Sequence, residues 1–199
     1  MFTGIIENIG KVNYLKGNRL SIESSPITKD LDLGNSISVN GACLTIVELN
    51  ETCFEVDLSQ ETLNRTNLGI LRKNQPVNLE KAMSFDKKFG GHVVQGHIDG
   101  TAKIISKTDV SGAIIFEYLI PNSLMPYIVE KGFVALDGIS LTVVDKLSSS
   151  ITISVIPYSE NNTNLNTRLV GDLVNLEVDV MAKYVASLLN QYLDKSPSE

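Results

Sequence analysis

The stretch GGHVVQGHIDG at residues 90–100 decides how the chain is organised, because it restarts the pattern that opens the chain. Residues 3–12 read TGIIENIGKV, and residues 95–104 read QGHIDGTAKI, with glycine, apolar, acidic and lysine positions in the same order. The second half of the chain therefore begins close to where the first half ends.

Three further segments return downstream at one constant offset of 97 residues. They are GACLTIV at 41–47 and GISLTVV at 138–144, NRTNL at 64–68 and NNTNL at 161–165, and VNLE at 77–80 and again at 174–177. A constant offset over ungapped segments indicates two copies of one structural unit. The opening pair has an offset of 92, so a length difference of five residues (97 − 92) lies between the first strand and Gly34, where loops tolerate insertions.

Composition limits the kinds of partner that the protein can have. The chain has 199 residues, enough for two units of roughly 90 residues with a core each. A net charge of −6 argues against nucleic acid and anionic membranes as partners. No apolar run reaches the roughly 20 residues that cross a bilayer, and the first residues do not read as a signal peptide. We therefore expect a soluble, cytoplasmic protein.

Short strands are the predicted secondary structure. β-Branched or alternating runs bounded by Gly, Asn, Asp and Pro occur at residues 5–12, 19–23, 36–49, 53–58 and 76–80, and the second copy has matching runs. This pattern predicts an all-β protein with one closed antiparallel barrel in each copy. Short helices fit residues 26–33 and 121–130.

The predicted domains are an N-terminal barrel at 1–89, a C-terminal barrel at 90–178, and a helix with its tail at 179–199. Asp179 can cap this helix, and an apolar stripe follows at helical spacing, formed by Met181, Tyr184, Val185, Leu188, Leu189 and Tyr192. The stripe must be buried either on its own barrel or against other copies of the chain. We favour self-association, because strands already supply both cores.

Small polar groups occupy equivalent positions in the two copies. In an uninterrupted strand one face would carry Val39, Gly41, Cys43, Thr45 and Val47, and its counterpart would carry Leu136, Gly138, Ser140, Thr142 and Val144. A small hydrogen-bonding side chain beside a glycine allows a flat heterocycle to approach the backbone closely. The alternative is that the threonines are ordinary strand residues.

The histidines and cysteines do not predict a metal site. His92 and His97 are five residues apart, so in a strand they face opposite sides. Cys43 and Cys53 form no CxxC pair, and we expect both to be reduced thiols. For each histidine, a structural role in bridging buried polar groups stays open beside a catalytic one.

Five segments, in this order and spacing, resemble the single-chain riboflavin synthase family: MFTGI at 1–5, NGACLT at 40–45, ETLNRT at 61–66, GGHVVQGH at 90–97 and KGFVALDGISLT at 131–142. The resemblance implies two six-stranded Greek-key barrels, a homotrimer held by the C-terminal helix, and no metal or redox cofactor. It also implies a transferase of riboflavin biosynthesis. Two molecules of 6,7-dimethyl-8-ribityllumazine would exchange a four-carbon unit to give riboflavin and 5-amino-6-ribitylaminouracil.

The resemblance also implies which residues contact substrate. The first pocket would be lined by Gly4, Ile5, Ile6, Cys43, Leu44, Thr45, Glu61 and Thr62. The second would be lined by Gly96, His97, Ile98, Lys131, Ser140, Leu141, Thr142, Pro157 and Ser159. Further substrate contacts would be Asp57, Leu58, Ser59, Gln60, Ser154, Val155, Ile156 and Tyr158. Proton transfer or stabilisation of an added nucleophile would involve His97, Ser140, Cys43 and Asp179, and which of them is the base stays open.

The chain departs from the family pattern at residues 157–160, which read PYSE and leave the ribityl contacts at Tyr158 and Glu160 open. The alternative function is a non-catalytic, antenna-type protein that binds lumazine or flavin with the same double barrel. Such proteins tend to lose Cys43, His97 and Ser140, which are all present here, so the enzyme is favoured. Only the C-terminal stripe would favour a protein-binding module. The resemblance leaves association with lumazine synthase open.

Overall fold

The computed structural model describes residues 1–84 and 88–193. Within these residues, two closed antiparallel barrels contain six strands each. The first barrel is formed by β1 (Asn8–Lys16), β2 (Arg19–Glu23), β3 (Ser36–Val39), β4 (Ala42–Leu49), β5 (Cys53–Asp57) and β6 (Pro76–Lys81). The second is formed by β7 (Gly100–Val110), β8 (Ala113–Leu119), β9 (Phe133–Leu136), β10 (Ile139–Lys146), β11 (Ser150–Val155) and β12 (Leu173–Val178). The all-β, two-barrel prediction is confirmed.

Both barrels have the same strand order. It is β1-β2-β5-β4-β3-β6 in the first barrel and β7-β8-β11-β10-β9-β12 in the second, closed by the pairing of the outermost strands. Strands β3, β4 and β5 follow one another as neighbours, and β6 returns to lie beside β3, which is Greek-key connectivity. A β-bulge interrupts β1 after Val12 and β7 after Ile104, at equivalent points.

The five extra residues of the second copy lie where the two offsets predicted. Ile22 pairs with Val12 and Tyr118 pairs with Ile104, so Ile22 and Tyr118 are equivalent residues, 96 positions apart. Four of the five extra residues (96 − 92) therefore lengthen the β7–β8 hairpin. The N–H of Gly34 donates to Ile46 and that of Lys131 donates to Val143, which restores the offset of 97. The remaining residue therefore lies before Gly34, as expected.

Each barrel encloses an apolar core of its own. The strands alternate between core-facing and outward-facing side chains, so burial follows the period of two that strands require. Fully buried residues in the first core include Leu20, Ile22, Ile37, Phe54 and Val56, and those in the second include Ile104, Phe116, Val134, Val143 and Ile153.

The run at 36–49 is a hairpin and not one strand. Asn40 and Gly41 have φ values of 44° and 83°, and this left-handed turn separates β3 from β4. Asp137 and Gly138 form the same turn in the second barrel. Because the turn reverses the chain, Val39 faces the core and is fully buried. The prediction that Val39 shares a face with Cys43 is therefore wrong.

The short helices differ from those predicted. Helix α1 (Ser25–Thr28) begins one residue before the predicted stretch 26–33, and a 3₁₀ turn at Met125–Tyr127 falls inside the stretch 121–130; both are shorter than predicted. Two further helices, α2 (Gln60–Arg65) and α3 (Pro157–Asn161), were not predicted. Both follow the last strand of a meander and lie at equivalent places in the two copies.

The C-terminal helix α4 (Val180–Leu193) starts directly after Asp179, whose Oδ1 accepts the N–H of Met181 at 2.9 Å. The predicted cap is confirmed. All six side chains of the apolar stripe are more than half exposed. The second barrel therefore leaves the stripe uncovered, and self-association stays a prediction. In the part of the chain that the structure describes, no helix is long and apolar enough to cross a membrane.

The barrels meet at the β3–β4 and β9–β10 turns. A Cβ on Gly41 would lie 2.7 Å from the backbone N of Gly138, and the reverse contact is equally close, so this junction requires glycine on both sides. Buried amides surround it. Asn78 Nδ2 donates to Asn164 Oδ1 at 3.0 Å, and Asn164 Nδ2 donates to Asp137 Oδ2 at 2.9 Å. The repeated asparagines of the sequence therefore join the two barrels.

Candidate functional site

The segment that precedes each barrel crosses to the other barrel. We call residues 3–6 and 95–98 the leading segments. The carbonyl of Gly4 accepts the N–H of Ser140 on β10 at 2.8 Å, and the carbonyl of Gly96 accepts the N–H of Cys43 on β4 at 2.9 Å. Both glycines have positive φ, and a Cβ on Gly4 would lie 2.6 Å from the Ser140 Cβ. Backbone conformation and space therefore both require glycine.

The first cleft lies between β4, α2 and the second leading segment, and its volume is about 480 Å³. Ser59 caps α2 by accepting the N–H of Thr62 at 3.1 Å, which fixes the helix that forms one wall. Arg65 pairs with Glu61 on this wall and donates to the Asp99 carbonyl at 3.3 Å. The cleft is lined by Ala42, Cys43, Glu61, Thr62, Arg65, Thr66, Gly96, His97, Ile98 and Asp99.

The second cleft lies at the equivalent place beside β10 and α3, and its volume is about 520 Å³. It is lined by Gly4, Ile5, Ile6, Glu7, Asn8, Ile9, Ile139, Ser140, Leu141, Tyr158, Ser159, Asn161, Asn162 and Thr163. Among the described residues, none lines both clefts. One chain therefore holds two equivalent clefts that are separate from each other.

The predicted grouping of residues by copy is wrong for the leading segments. Gly4, Ile5 and Ile6 line the cleft of Ser140, whereas Gly96, His97 and Ile98 line the cleft of Cys43. The reason is the crossing of the leading segments, which places each of them on the opposite barrel. Each cleft consequently combines residues from both copies.

His92 contacts the second cleft through Ser140. Its Nδ1 lies 2.7 Å from Ser140 Oγ, its ring stacks on Phe133 with centroids 5.2 Å apart, and its buried Nε2 has no hydrogen-bond partner among the described residues. Burial lowers the pKa of His92, and the nearby charge of Asp179 opposes this effect. His92 is therefore neutral near pH 7 and can accept the Ser140 proton, which is how a hydroxyl is activated as a nucleophile.

The four predicted catalytic residues are not gathered in one place. Cys43 and His97 line the first cleft, Ser140 lines the second, and Asp179 caps α4 on the side of His92. Cys43 Sγ makes no hydrogen bond within residues 1–84 and 88–193. The two clefts therefore occupy equivalent positions but differ in polar chemistry, with a free thiol in one and a hydroxyl–imidazole pair in the other.

Several predicted substrate contacts lie outside the cleft linings. Leu44, Leu58 and Val155 belong to the barrel cores, which leaves only their backbone for a ligand. The Asp57 carboxylate is engaged by Arg19, and the Lys131 ammonium donates to the Val144 carbonyl at 2.7 Å. The others outside the linings are Thr45, Ser59, Gln60, Thr142, Ser154, Ile156 and Pro157. Their contacts with substrate stay predictions.

The departure at residues 157–160 has a structural explanation. Glu160 is absent from the lining of the second cleft and pairs with Lys107 Nζ at 3.2 Å. The equivalent residues of the first copy, Leu15 and Leu63 (107 − 92 and 160 − 97), pack on the apolar core. An ion pair in one copy thus takes the place of two apolar side chains in the other. Tyr158, equivalent to Glu61, does line the second cleft and is 74% exposed.

Some lining residues were missed although the sequence carried a signal for them. Arg65 and Thr66 in the first cleft correspond to Asn162 and Thr163 in the second, and all four belong to the repeated NRTNL and NNTNL segments. The repeat alone would have placed them at equivalent sites. His92 had no such signal, because its contact with Ser140 joins residues 48 positions apart.

The fold and the clefts define a class of protein, namely double-barrel proteins with one small-molecule cleft per barrel. The family model described as "Lumazine binding domain" matches residues 3–82 and 95–179, once per barrel. Riboflavin synthase of Actinobacillus pleuropneumoniae is 42% identical over 203 residues, which cover 100% of this chain and 93% of the relative. That of Mycobacterium bovis is 43% identical over 197 residues, covering 95% and 98%. The chain therefore belongs to the riboflavin synthase family.

Solved structures agree with this assignment. LumP complexed with riboflavin has a TM-score of 0.84 to this chain at 26% identity, covering 89% of this chain and 99% of that chain. LumP complexed with 6,7-dimethyl-8-(1'-D-ribityl) lumazine has a TM-score of 0.81 at the same identity and coverage. The family resemblance predicted from the sequence is confirmed.

Proposed function

We propose that this chain is a riboflavin synthase, a transferase that moves a four-carbon unit between two molecules of 6,7-dimethyl-8-ribityllumazine. The products are riboflavin and 5-amino-6-ribitylaminouracil. The observation that carries the proposal is the pair of equivalent clefts, because donor and acceptor are the same compound and need equivalent sites. Relatives of this name at 42% and 43% identity, and LumP bound to lumazine and riboflavin, support the ligand class.

The polar groups of the clefts suit the two demands of this reaction. A proton must leave the C7 methyl of one lumazine, and a nucleophile must add to C7 of the other and later depart. Neutral His92 can take the proton of Ser140, so that the hydroxyl, or a water in its place, adds to C7. Of the four predicted catalytic residues, Cys43 and His97 line the first cleft. Two substrates contain the atoms of both products, so the reaction needs no external oxidant or reductant.

The separation of the clefts supports an oligomer as the active form. Within one chain the two clefts share no lining residue among those described, yet the two lumazines must touch. We infer a homotrimer in which the first cleft of one copy faces the second cleft of its neighbour. The exposed stripe of α4 supplies the apolar contact surface for such an assembly. Sedimentation would test the trimer, and co-sedimentation would test an association with lumazine synthase.

The direct test is to incubate the purified protein with 6,7-dimethyl-8-ribityllumazine and follow riboflavin by its absorbance. We expect turnover without added metal or nucleotide, in keeping with a cytoplasmic biosynthetic enzyme. Tight ligand binding without product would contradict the proposal and favour the antenna-type carrier. Absence of both binding and turnover would reject lumazine as the ligand.

A further inference from the structure

The last residue of each VNLE repeat is a buried carboxylate with an unusual set of partners. Glu80 and Glu177 are 4% and 1% exposed. Glu80 Oε1 accepts the N–H of Thr3 at 2.7 Å and its hydroxyl at 3.0 Å, and Oε2 accepts the N–H of Gly4 at 3.0 Å. Glu177 Oε1 accepts the N–H of Gln95 at 2.7 Å, and Oε2 accepts that of Gly96 at 2.9 Å. Each carboxylate therefore binds two successive amides of a leading segment.

Packing alone does not explain a carboxylate at these positions. Burial disfavours the charged form and raises the pKa of both groups, that of Glu177 to about 7. An apolar residue would avoid this cost if the place needed only to be filled. The two oxygens of a carboxylate can each accept one of two neighbouring N–H groups, whereas glutamine has a single acceptor oxygen. The geometry thus matches a role in fixing the leading segment.

The fixed segment is also the wall of a cleft. Gly4, held from one side by Glu80, accepts the Ser140 N–H with its carbonyl on the other side. Gly96 likewise donates its N–H to Glu177 and accepts the N–H of Cys43 with its carbonyl. Each carboxylate lies on the closing strand of one barrel and acts, through one glycine, on the cleft of the opposite barrel.

We propose that Glu80 and Glu177 are positioning residues for substrate. Glu177 holds residues 96–98 in place in the first cleft, and Glu80 holds residues 4–6 in place in the second cleft. Neither carboxylate lines its cleft, so each acts through the leading segment. The predicted effect of these carboxylates on ligand affinity rests on the proposed function, whereas their effect on the positions of the leading segments does not.

A single thiol beside each cleft can report on that cleft alone. The chain has two cysteines, so Cys53→Ser leaves only Cys43, beside the first cleft. Adding Cys43→Ser and Ser140→Cys moves the one thiol to the equivalent place in the second cleft. The riboflavin concentration that half-protects this thiol from alkylation by iodoacetamide then measures the affinity of that cleft, whether or not the protein turns over.

Each carboxylate variant is expected to affect one reporter. At pH 8, where Glu177 is ionised, Glu177→Gln should raise the half-protecting riboflavin concentration at Cys43 roughly tenfold, the factor for losing a hydrogen bond to a charged group. It should leave the second reporter unchanged, and Glu80→Gln should do the reverse. The matched control is Glu117→Gln, a half-buried carboxylate of the second barrel that binds Ser150 at 2.6 Å and touches neither leading segment. Equal effects on both reporters, or effects no larger than the control, would overturn the proposal.

Hydrogen exchange decides the question without any ligand. The carboxylates are the acceptors for the amides of Gly4 and Gly96, which lie outside the strands. In the unaltered chain we expect these amides to exchange as slowly as strand amides, and in the matching glutamine variant at least tenfold faster. Fast exchange in the unaltered chain would refute the positioning role. If riboflavin protected neither thiol but these amides were slow, the proposed function would fail and the positioning role would stand.

Discussion

Glu177 is predicted to make the protein less stable as the pH rises through neutrality. Burial raises its pKa from 4.5 to about 7, although the N–H groups of Gln95 and Gly96 lower it. The other charges that face it are Lys183, which lowers the pKa, and Asp99, which raises it; these two pair at 2.6 Å. Between pH 4.5 and 7 the folded protein therefore holds a proton that the unfolded chain has released.

The sign and size of the effect follow from this difference in bound protons. Stability contributed by a raised pKa is present below the unfolded value of 4.5 and is lost as the pH rises through about 7. The full loss is (7 − 4.5) × 1.36 kcal/mol, or about 3 kcal/mol. For a chain of this length, that corresponds to a melting temperature lower by roughly 6 to 12 °C.

The assay compares the melting temperatures of the unaltered chain and Glu177→Gln by circular dichroism from pH 5 to pH 8. Glutamine does not titrate, so the difference between the two chains isolates Glu177 from every other group. We expect the unaltered chain to lose several degrees relative to the variant as the pH rises. Glu117→Gln serves as the matched control, and the pH-dependent difference for Glu177→Gln should exceed the one for this variant. A flat or rising difference for Glu177→Gln would refute the reasoning.

Three further predictions concern the clefts, the barrel junction and the assembly. Ser140→Ala should lower kcat at least tenfold more than Cys43→Ala, with smaller changes in ligand affinity, because only Ser140 is paired with an imidazole; equal and small effects in steady-state assays would contradict this. Gly41→Ala should destabilise the chain by at least about 2 kcal/mol in urea unfolding, because its Cβ would meet the Gly138 backbone at 2.7 Å. A chain ending at Val178 should sediment as a smaller species that still binds riboflavin but lacks turnover, and full activity in that species would place the whole site within one chain.

The fold was predictable because its signals are local and occur twice. The two repeat offsets predicted both barrels and the location of the length difference, and the alternation along the strands predicted which side chains face the cores. The break between β3 and β4 was also readable, since Asn40-Gly41 and Asp137-Gly138 are the dipeptides that favour a two-residue hairpin turn. The prediction of a single strand over residues 36–49 did not include this turn, and it therefore placed Val39 on the wrong face.

The set of residues that lines each cleft could not be predicted from local sequence patterns. The crossing of the leading segments depends on contacts such as Gly4 with Ser140, which are 136 positions apart (140 − 4) and have no local pattern. Resemblance named most of the lining residues, but grouping them by copy assumed that each barrel completes its own cleft. The contact of His92 with Ser140 is likewise a product of tertiary structure. Local sequence therefore identified candidates, and only the fold assigned them to sites.

One pair of equivalent residues distinguishes the two buried carboxylates. Thr3 gives Glu80 a third hydrogen bond through its hydroxyl, whereas its equivalent, Gln95 (95 − 92), gives Glu177 only its backbone N–H. Each added donor stabilises the ionised form, so the Thr3 hydroxyl opposes the rise that burial causes in the pKa of Glu80, whereas burial raises the pKa of Glu177 to about 7. Acidification below about pH 7 should therefore weaken the hydrogen bonds that Glu177 accepts from Gln95 and Gly96. The duplicated contact therefore has one backbone geometry, but its side-chain donors differ between the two copies.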